Sequence, residues 1–177
     1  MKKMNKKGFT IVEILFSKKE QDKFITACRS IIDRPRHRLQ GREVYLRADK
    51  LKRVHSYIEN EVAEYRMDYA HLYRVEEQIQ SNDTQENRFL KYALQQITSK
   101  YDALKKRIET IRNYSAEQKE QMDRMLQKLK HLGCHPFFRT VGKFKGLTQE
   151  SLVLQKATGY SQVYRTWNML RRAYSLN

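Results

Sequence analysis

Basic and aromatic side chains alternate in the last quarter of the sequence, between Pro136 and Tyr174. This stretch has seven basic residues and seven aromatic rings against a single acid, Glu150. Cations neutralise phosphate and rings stack on bases, so the combination suits a nucleic acid. The basic residues are Arg139, Lys143, Lys145, Lys156, Arg165, Arg171 and Arg172.

Not every ring in this stretch is expected to reach a ligand. Tyr164 and Trp167 share a helix face with apolar residues, which predicts that they belong to the core. Phe144 lies between two lysines in an irregular segment and is the better candidate for stacking on a base. The predicted nucleic-acid contacts here are Lys143, Phe144, Lys145, Arg171 and Arg172.

A second basic cluster runs from Arg29 to Arg53, with nine basic residues against three acids. Arginine forks bind phosphate through two parallel hydrogen bonds. The alternative is a solvated face on which arginines pair with acids, but the excess of basic residues is too large for local pairing. The predicted phosphate contacts in this cluster are Arg34, Arg36, Arg38 and Arg42.

The composition agrees with an anionic partner, because 36 Lys and Arg against 20 Asp and Glu give a net charge of +16. Nucleic acid is the commonest such partner, ahead of an anionic membrane or an acidic protein. Cys28 and Cys134 are far apart, which is typical of a reduced, cytoplasmic protein. His131 and His135 flank Cys134, but a fourth ligand is missing, so we expect no metal site.

The motifs of common catalytic sites are missing, and we expect neither an enzyme nor a cofactor. The segment from Gly142 to Gly146 lacks the residue order of a phosphate-binding loop. A PD-(D/E)XK nuclease needs a Glu-x-Lys on a strand beside further acids for Mg²⁺. The one Glu-x-Lys, at Glu117 and Lys119, lies at the start of a polar helix instead.

The start of the chain resembles a prepilin cleavage pattern at Lys7-Gly8-Phe9. A pilin would continue with about 20 apolar residues. Here the apolar run covers only Ile11 to Phe16 and includes Glu13. We therefore expect a short strand or residual cloning sequence at this point, and no membrane partner.

Periodicity and capping signals predict the elements of the first half. A capping box at Ser17 and Glu20 opens a helix to about Asp33. A basic loop over 34–42 follows, then a short strand over 44–46. Residues 69–80 fit either a strand or a continuing helix, and we favour an extended segment within them. A second helix is predicted between the strand and this segment from the spacing of Leu51, Val54, Ile58 and Val62.

Two long helices are predicted in the second half. A capping box at Asp83 and Glu86 precedes one apolar stripe, and a box at Ser115 and Gln118 precedes another. They form an antiparallel helical hairpin, an arm over 83–132 whose stripes pair with each other or with a partner. A basic helical segment over 134–177 completes a single mainly α domain with a few short strands, the hairpin packed on a small helical core.

The polar run Glu86-Asn87-Arg88 is a motif of unknown role. Capping accounts for Glu86 and for Asp83 before it, but not for Asn87 or Arg88. A binding site is one interpretation of the run, and we favour a structural one.

Two segments carry a family resemblance. They are Asp83 to Lys91, which includes Glu-Asn-Arg-Phe, and Phe138-Arg139-x-Val141-Gly142 running through 151–155 to Gly159-Tyr160 and Trp167. Over roughly residues 30–172 the chain resembles the poorly characterised domain that precedes a PD-(D/E)XK nuclease in predicted prokaryotic virus-defence proteins.

Proteins of that kind occur beside McrB-like AAA+ NTPases, as in McrBC-type restriction systems. Their nuclease core follows the Trp-containing helix, and the present sequence ends at Asn177. The resemblance therefore implies a non-catalytic DNA-binding or positioning module of a restriction-type antiviral system. The alternative is a scaffold that docks an AAA+ NTPase through the helical hairpin, at positions such as Ile97 and Leu104.

Overall fold

The computed structural model describes residues 17–109, 115–146 and 151–175. Over these ranges the chain is mainly helical with one two-stranded antiparallel sheet, as the sequence predicts. The elements are α1 (Lys18–Asp33), β1 (Arg38–Leu46), α2 (Glu59–Glu64), β2 (Tyr73–Ser81), α3 (Gln85–Glu109), α4 (Ala116–Gly133), α5 (Leu152–Lys156) and α6 (Tyr160–Ser175).

The described residues group into two compact units, whereas a single domain over 1–177 is predicted from the sequence. The β unit is Arg38–Ser81, and the helical unit comprises the described residues up to His37 and from Asn82 onward. Among the described helices, none has an apolar stretch long enough to cross a membrane. The prepilin-like pattern at 7–13 lies outside the described residues.

Helix α1 has the predicted extent, but the prediction of a capping box at its start is wrong. Ser17 occupies the N-cap position without a side-chain cap hydrogen bond. The Glu20 carboxylate accepts a hydrogen bond from Lys23 Nζ at 2.6 Å instead. This bond is the main reason that the pKa of Glu20 is lowered. The helix buries one face in the core, through Phe24, Ile25, Ala27, Cys28 and Ile31.

The β unit contains a longer first strand than predicted. Residues 38–42, expected in a basic loop, continue β1 because they pair with β2 over its whole length. The register runs from Arg38 opposite Ser81 to Leu46 opposite Tyr73. The extended segment predicted within 69–80 is confirmed as β2.

The helix predicted from Leu51, Val54, Ile58 and Val62 is wrong. Two single 3₁₀ turns, at 48–50 and 56–58, precede the six-residue helix α2. Ile58 is buried against Tyr73 and Val75 of the sheet, and Val54 is exposed. The helical spacing of these four residues arises from separate turns and a short helix, several of whose apolar side chains pack on one small sheet.

The helical hairpin is confirmed. Asp102 near the end of α3 lies 3.8 Å from Lys130 near the end of α4, and Lys105 pairs with Asp123 earlier in α4. This order of partners is that of antiparallel helices. Ser115 and Gln118 form the predicted capping box, with both hydrogen bonds present. The turn at 110–114 lies outside the described residues.

The apolar stripes of the hairpin are used inside the molecule. Ile97 and Leu104 on α3 and Leu129 on α4 are all buried. Helices α1 and α6 pack on the hairpin and on each other, so one core is shared by four helices. Gly159, with a φ of +82°, allows the chain to turn between α5 and α6.

Candidate nucleic-acid-binding surface

The Glu86-Asn87-Arg88 motif occupies the first turn of α3. The helix is capped by Thr84, whose hydroxyl oxygen accepts a hydrogen bond from the backbone N–H of Asn87 at 3.2 Å. The prediction that Asp83 and Glu86 cap this helix is therefore wrong. The N-cap position lies one residue later than the sequence suggested. The carboxylates of Asp83 and Glu86 form hydrogen bonds with other groups instead.

Asn87 is fully buried and makes three side-chain hydrogen bonds. Its Nδ2 donates to the carbonyl of Arg36 at 2.9 Å and to that of Asn82 at 2.7 Å, and its Oδ1 accepts from the Tyr160 hydroxyl. The same hydroxyl accepts from the Arg36 backbone N–H at 3.2 Å. Burial is the main cause that raises the pKa of Tyr160, so its proton stays in place for this bond.

Arg88 pairs with Asp83 through two hydrogen bonds, one of them from Nε at 2.6 Å. The pKa of Arg88 is raised, chiefly by its hydrogen bond to that carboxylate. Asp83 also accepts from the backbone N–H of Gly142 at 2.8 Å. A Cβ on Gly142 would lie 3.2 Å from both Arg88 Nε and Asp83 Oδ1. The absence of a side chain at this position therefore leaves space for the ion pair.

Lys91, one turn further along α3, and Glu86 of the motif bind further segments. The ammonium group of Lys91 donates to the carbonyls of Phe138 and Val141 at 2.8 and 2.6 Å. The carboxylate of Glu86 accepts from the Ser151 hydroxyl at 2.7 Å. The motif and Lys91 thus join 36, 138–142, 151 and the start of α6 to one helix end, and these contacts favour the structural interpretation.

Around this framework the structure brings together several of the predicted contacts. The Phe144 ring packs at 5.2 Å from Tyr92 and at 5.5 Å from Phe89. It is partly buried, so it is a member of an aromatic cluster and not the free ring that we expected. Lys143 and Lys145 on either side of it are exposed.

Helix α6 completes this cluster. The Trp167 ring lies 6.2 Å from Tyr92 and 5.5 Å from Phe89, and it is partly buried, as is Tyr164. The guanidinium of Arg171 lies 5.2 Å from the Trp167 ring centre. Three predicted cations therefore belong to one patch of partly buried rings, Lys143 and Lys145 as the neighbours of Phe144 in sequence and Arg171 through its contact with Trp167. We call this patch the cationic aromatic surface, formed by Tyr92, Lys143, Phe144, Lys145, Trp167 and Arg171.

A groove lies beside it, between α5 and α6, with a volume of about 670 Å³. Arg165 and Arg172 are its charged lining residues, and both are exposed. The remaining lining is apolar or neutral and polar: Leu154, Gln155, Ser161, Gln162, Tyr164, Asn168 and Met169. Sequence reasoning missed Arg165 and Asn168 as candidates, although their spacing with Arg172 on one helix face was a readable signal.

The second predicted cluster is divided between the two units. Arg34 and Arg36 follow α1 in the helical unit, whereas Arg38 and Arg42 belong to β1 in the β unit. All four side chains are exposed.

Charge is distributed very unevenly between the units. The β unit has eight basic and eight acidic residues, so the entire net charge of +16 belongs to the rest of the chain. An electrostatic attraction to a polyanion therefore acts on the helical unit. This distribution favours the helical-unit candidates over Arg38 and Arg42.

Metal-binding clusters are not found among the described residues. No group of three His, Cys, Asp or Glu side chains there is placed to hold a metal ion. Glu117 and Lys119 lie in the first turn of α4, as the sequence predicts for a solvated helix start. Cys28 is buried, and burial raises the pKa of its thiol, which makes it a poor nucleophile.

Comparison with known proteins identifies the family. Residues 2–167 match the family described as Domain of unknown function (DUF2357), and the chain belongs to that family. No curated protein and no solved structure gives a significant match.

Proposed function

We propose that this protein is a non-catalytic DNA-binding and positioning module of a prokaryotic, restriction-type antiviral nuclease system. The observation that carries the proposal is that exposed Lys143 and Lys145 flank Phe144, whose ring belongs to the same aromatic cluster as Trp167, the ring that Arg171 contacts. Exposed cations bind phosphate without regard to sequence, and this is the usual basis of DNA positioning.

The partly buried rings of the cationic aromatic surface are fixed by the core, which gives the cations around them a stable base. Phe144 and Trp167 both contact Phe89, a fully buried residue of α3. Arg171 is held over Trp167 by a cation–π contact. Binding then requires little ordering of the protein, and this lowers its entropic cost.

The nuclease context of the proposal rests on the resemblance given above, in which a similar domain precedes a PD-(D/E)XK nuclease. Cleavage is assigned to such a nuclease, and the present module would hold the DNA for it. Arg34 and Arg36, exposed at the end of α1, are assigned as further phosphate contacts of the helical unit.

The test is binding of the purified chain to a fluorescein-labelled DNA duplex, followed by anisotropy between about 50 and about 200 mM salt. We expect the logarithm of affinity to fall linearly with the logarithm of salt concentration. Exchange of both Arg34 and Arg36 for Gln should make the slope shallower, by about 0.9 for each phosphate that these side chains neutralise. The absence of binding at the lowest salt would overturn the proposal.

A second candidate function is docking of an McrB-like AAA+ NTPase, through a different surface from the one predicted. Ile97 and Leu104, the positions proposed on the helical hairpin, are buried and unavailable to a partner. Of the ten large hydrophobic side chains exposed among the described residues, nine lie in the β unit. Exposed apolar patches of this kind often mark protein interfaces.

The most exposed of these are Met67 at 80% and Tyr69 at 78%. They lie on either side of Asp68, whose carboxylate accepts a hydrogen bond from the Ala70 N–H at 2.9 Å. The Tyr65 ring stacks on His71 at 4.0 Å and closes the loop. A loop ordered by its own contacts presents Met67 and Tyr69 without further ordering cost.

Co-elution with a purified McrB-like NTPase on size-exclusion chromatography tests this second function. We expect Met67→Asp with Tyr69→Asp to abolish the complex. Leu152→Asp is the matched control, because Leu152 is 67% exposed in the helical unit. Two results would contradict docking through this loop: loss of the complex in the Leu152→Asp control as well, or survival of the complex in the double variant.

A further inference from the structure

The groove between α5 and α6 differs chemically from the cationic aromatic surface beside it. Its described lining contains two arginines and three amide side chains and no carboxylate. Its volume of about 670 Å³ lies within the range of roughly 300–1,000 Å³ typical of small-ligand sites. A concave surface with convergent amides and cations suits a ligand that has both a hydrogen-bonding edge and a negative charge.

Three groove residues project from the same face of α6. Asn168 lies three residues after Arg165 and four before Arg172, which places one cation a turn away on each side of the amide. Asn168 is partly buried, and both arginines are exposed. In the part of the chain that the structure describes, neither arginine forms an ion pair.

One carboxylate that the charge of Arg165 reaches is that of Glu20 on α1. Its pKa is lowered chiefly by the hydrogen bond from Lys23, with a smaller contribution from the positive charge of Arg165. Because Glu20 bonds directly to Lys23 at 2.6 Å, the guanidinium of Arg165 remains available to a second anion. The groove therefore keeps a net positive character.

Tyr164 connects the groove to the aromatic cluster. Its ring lies 5.7 Å from the buried Phe89 ring, in an edge-to-face contact, and the residue also lines the groove. Fixed aromatic rings are stacking platforms for unpaired bases, and amide groups read the hydrogen-bonding edge that pairing would otherwise occupy. A paired base inside a duplex presents neither its face nor that edge.

We propose that this groove binds an unpaired nucleotide of a single-stranded DNA segment. Tyr164 contacts the base, Asn168 hydrogen-bonds to its edge, and Arg165 and Arg172 contact the flanking phosphates. The assignment rests on the proposed DNA-binding function, and it names the form of DNA that the module prefers. At a junction between duplex and single strand, the duplex contacts the cationic aromatic surface while the unpaired nucleotide occupies the groove.

The experiment compares one fluorescein-labelled duplex with the same duplex extended by a single-stranded overhang of thymidines. We expect the overhang to tighten binding about fivefold or more, the gain that one stacked base supplies. Asn168→Ala should reduce that gain, because it removes the hydrogen bond to the base edge, and should leave affinity for the blunt duplex unchanged. Asn60→Ala, at an exposed position of the β unit, is the control and should retain the gain.

The outcomes separate this inference from the function on which it rests. Tight binding of the blunt duplex with no gain from the overhang overturns the groove assignment and leaves the module as a duplex binder. A gain that Asn168→Ala does not reduce also overturns the assignment. Failure of both DNAs to bind overturns the proposed function itself. As a second readout, 5-iodouracil in the overhang should photo-crosslink to Tyr164, and a crosslink confined to the β unit would contradict the proposal.

Discussion

The side-chain oxygen of Asn87 accepts a hydrogen bond from the hydroxyl of Tyr160, and this bond joins the first turn of α3 to the first turn of α6. Both side chains are buried. Asn87 also holds the Arg36 carbonyl, so three segments that are far apart in sequence meet at one amide. The Glu86-Asn87-Arg88 motif therefore positions α6, the helix on which several of the proposed binding residues lie.

Replacement of this amide should be costly. Asn87→Ala leaves the Tyr160 hydroxyl and two backbone carbonyls without their partner, and we expect a loss of about 3 kcal/mol in the free energy of unfolding. Tyr160→Phe should cost about 1–2 kcal/mol. Urea unfolding followed by circular dichroism measures both. Asn60→Ala is the exposed control, and equal effects at positions 60 and 87 would refute this role.

Replacement of two glycines by alanine should change the free energy of unfolding in opposite directions. Gly159 has a φ of +82°, and a Cβ there would lie 2.9 Å from Ile31 Cγ1. We expect Gly159→Ala to lower the free energy of unfolding by about 2 kcal/mol or more. Gly133 ends α4 with open space around it, so Gly133→Ala should raise it by about 0.5 kcal/mol. Thermal unfolding of the two variants measures both changes. A shift of the midpoint in the same direction for both would contradict the difference in backbone conformation and space between the two glycines.

Much of the fold could be predicted from the sequence, because long helices carry their own periodic signal. The stripes of α3 and α4 and the cap at Ser115 were readable from spacing alone. Of the β unit only the strand segments could be predicted, since the turns between them are set by contacts such as those of Ile58 with Tyr73 and Val75, which are distant in sequence. The partners of Asn87 were equally hidden, because a buried amide resembles a solvated one until its neighbours are placed.

The predicted site was partly assembled by the fold. Phe144, with Lys143 and Lys145 on either side of it, and Trp167, with Arg171 over its ring, contact the same Tyr92 although they are far apart in sequence. Phe144 was misplaced because a ring in an irregular segment looks exposed, and the opposing Tyr92 on α3 could not be foreseen. The charge balance of each unit could have been read in advance, had the boundaries at 38 and 81 been known.

Alkaline pH should weaken the fold through Tyr101. Its hydroxyl is buried in the core, and burial raises its pKa to about 12, against the opposing effect of a hydrogen bond from Gln21. In the unfolded chain the pKa is about 10. The neutral form is favoured by folding, so this contribution is complete below about pH 10 and is lost as the pH rises toward about 12.

Comparison with Tyr101→Phe isolates this effect, because the Cys28 thiol and the other tyrosines remain in both proteins. The wild-type free energy of unfolding should fall by about 2–3 kcal/mol more than that of the variant between about pH 10 and about pH 12. Urea unfolding across this range measures it. Tyr69→Phe, at an exposed position, should follow the wild type. Parallel curves for wild type and Tyr101→Phe would show that the buried hydroxyl does not ionise with a raised pKa.

The central claim is that specific cations of the helical unit, and not net charge alone, bind DNA. The most direct test is the salt dependence of duplex affinity for Lys143→Gln with Lys145→Gln, against Lys119→Gln with Lys128→Gln on α4. The two double variants remove the same charge. We predict that the first pair makes the log–log slope shallower by about 0.9 for each phosphate that these lysines neutralise, while the second leaves it unchanged. Equal slopes for the two pairs would contradict the account.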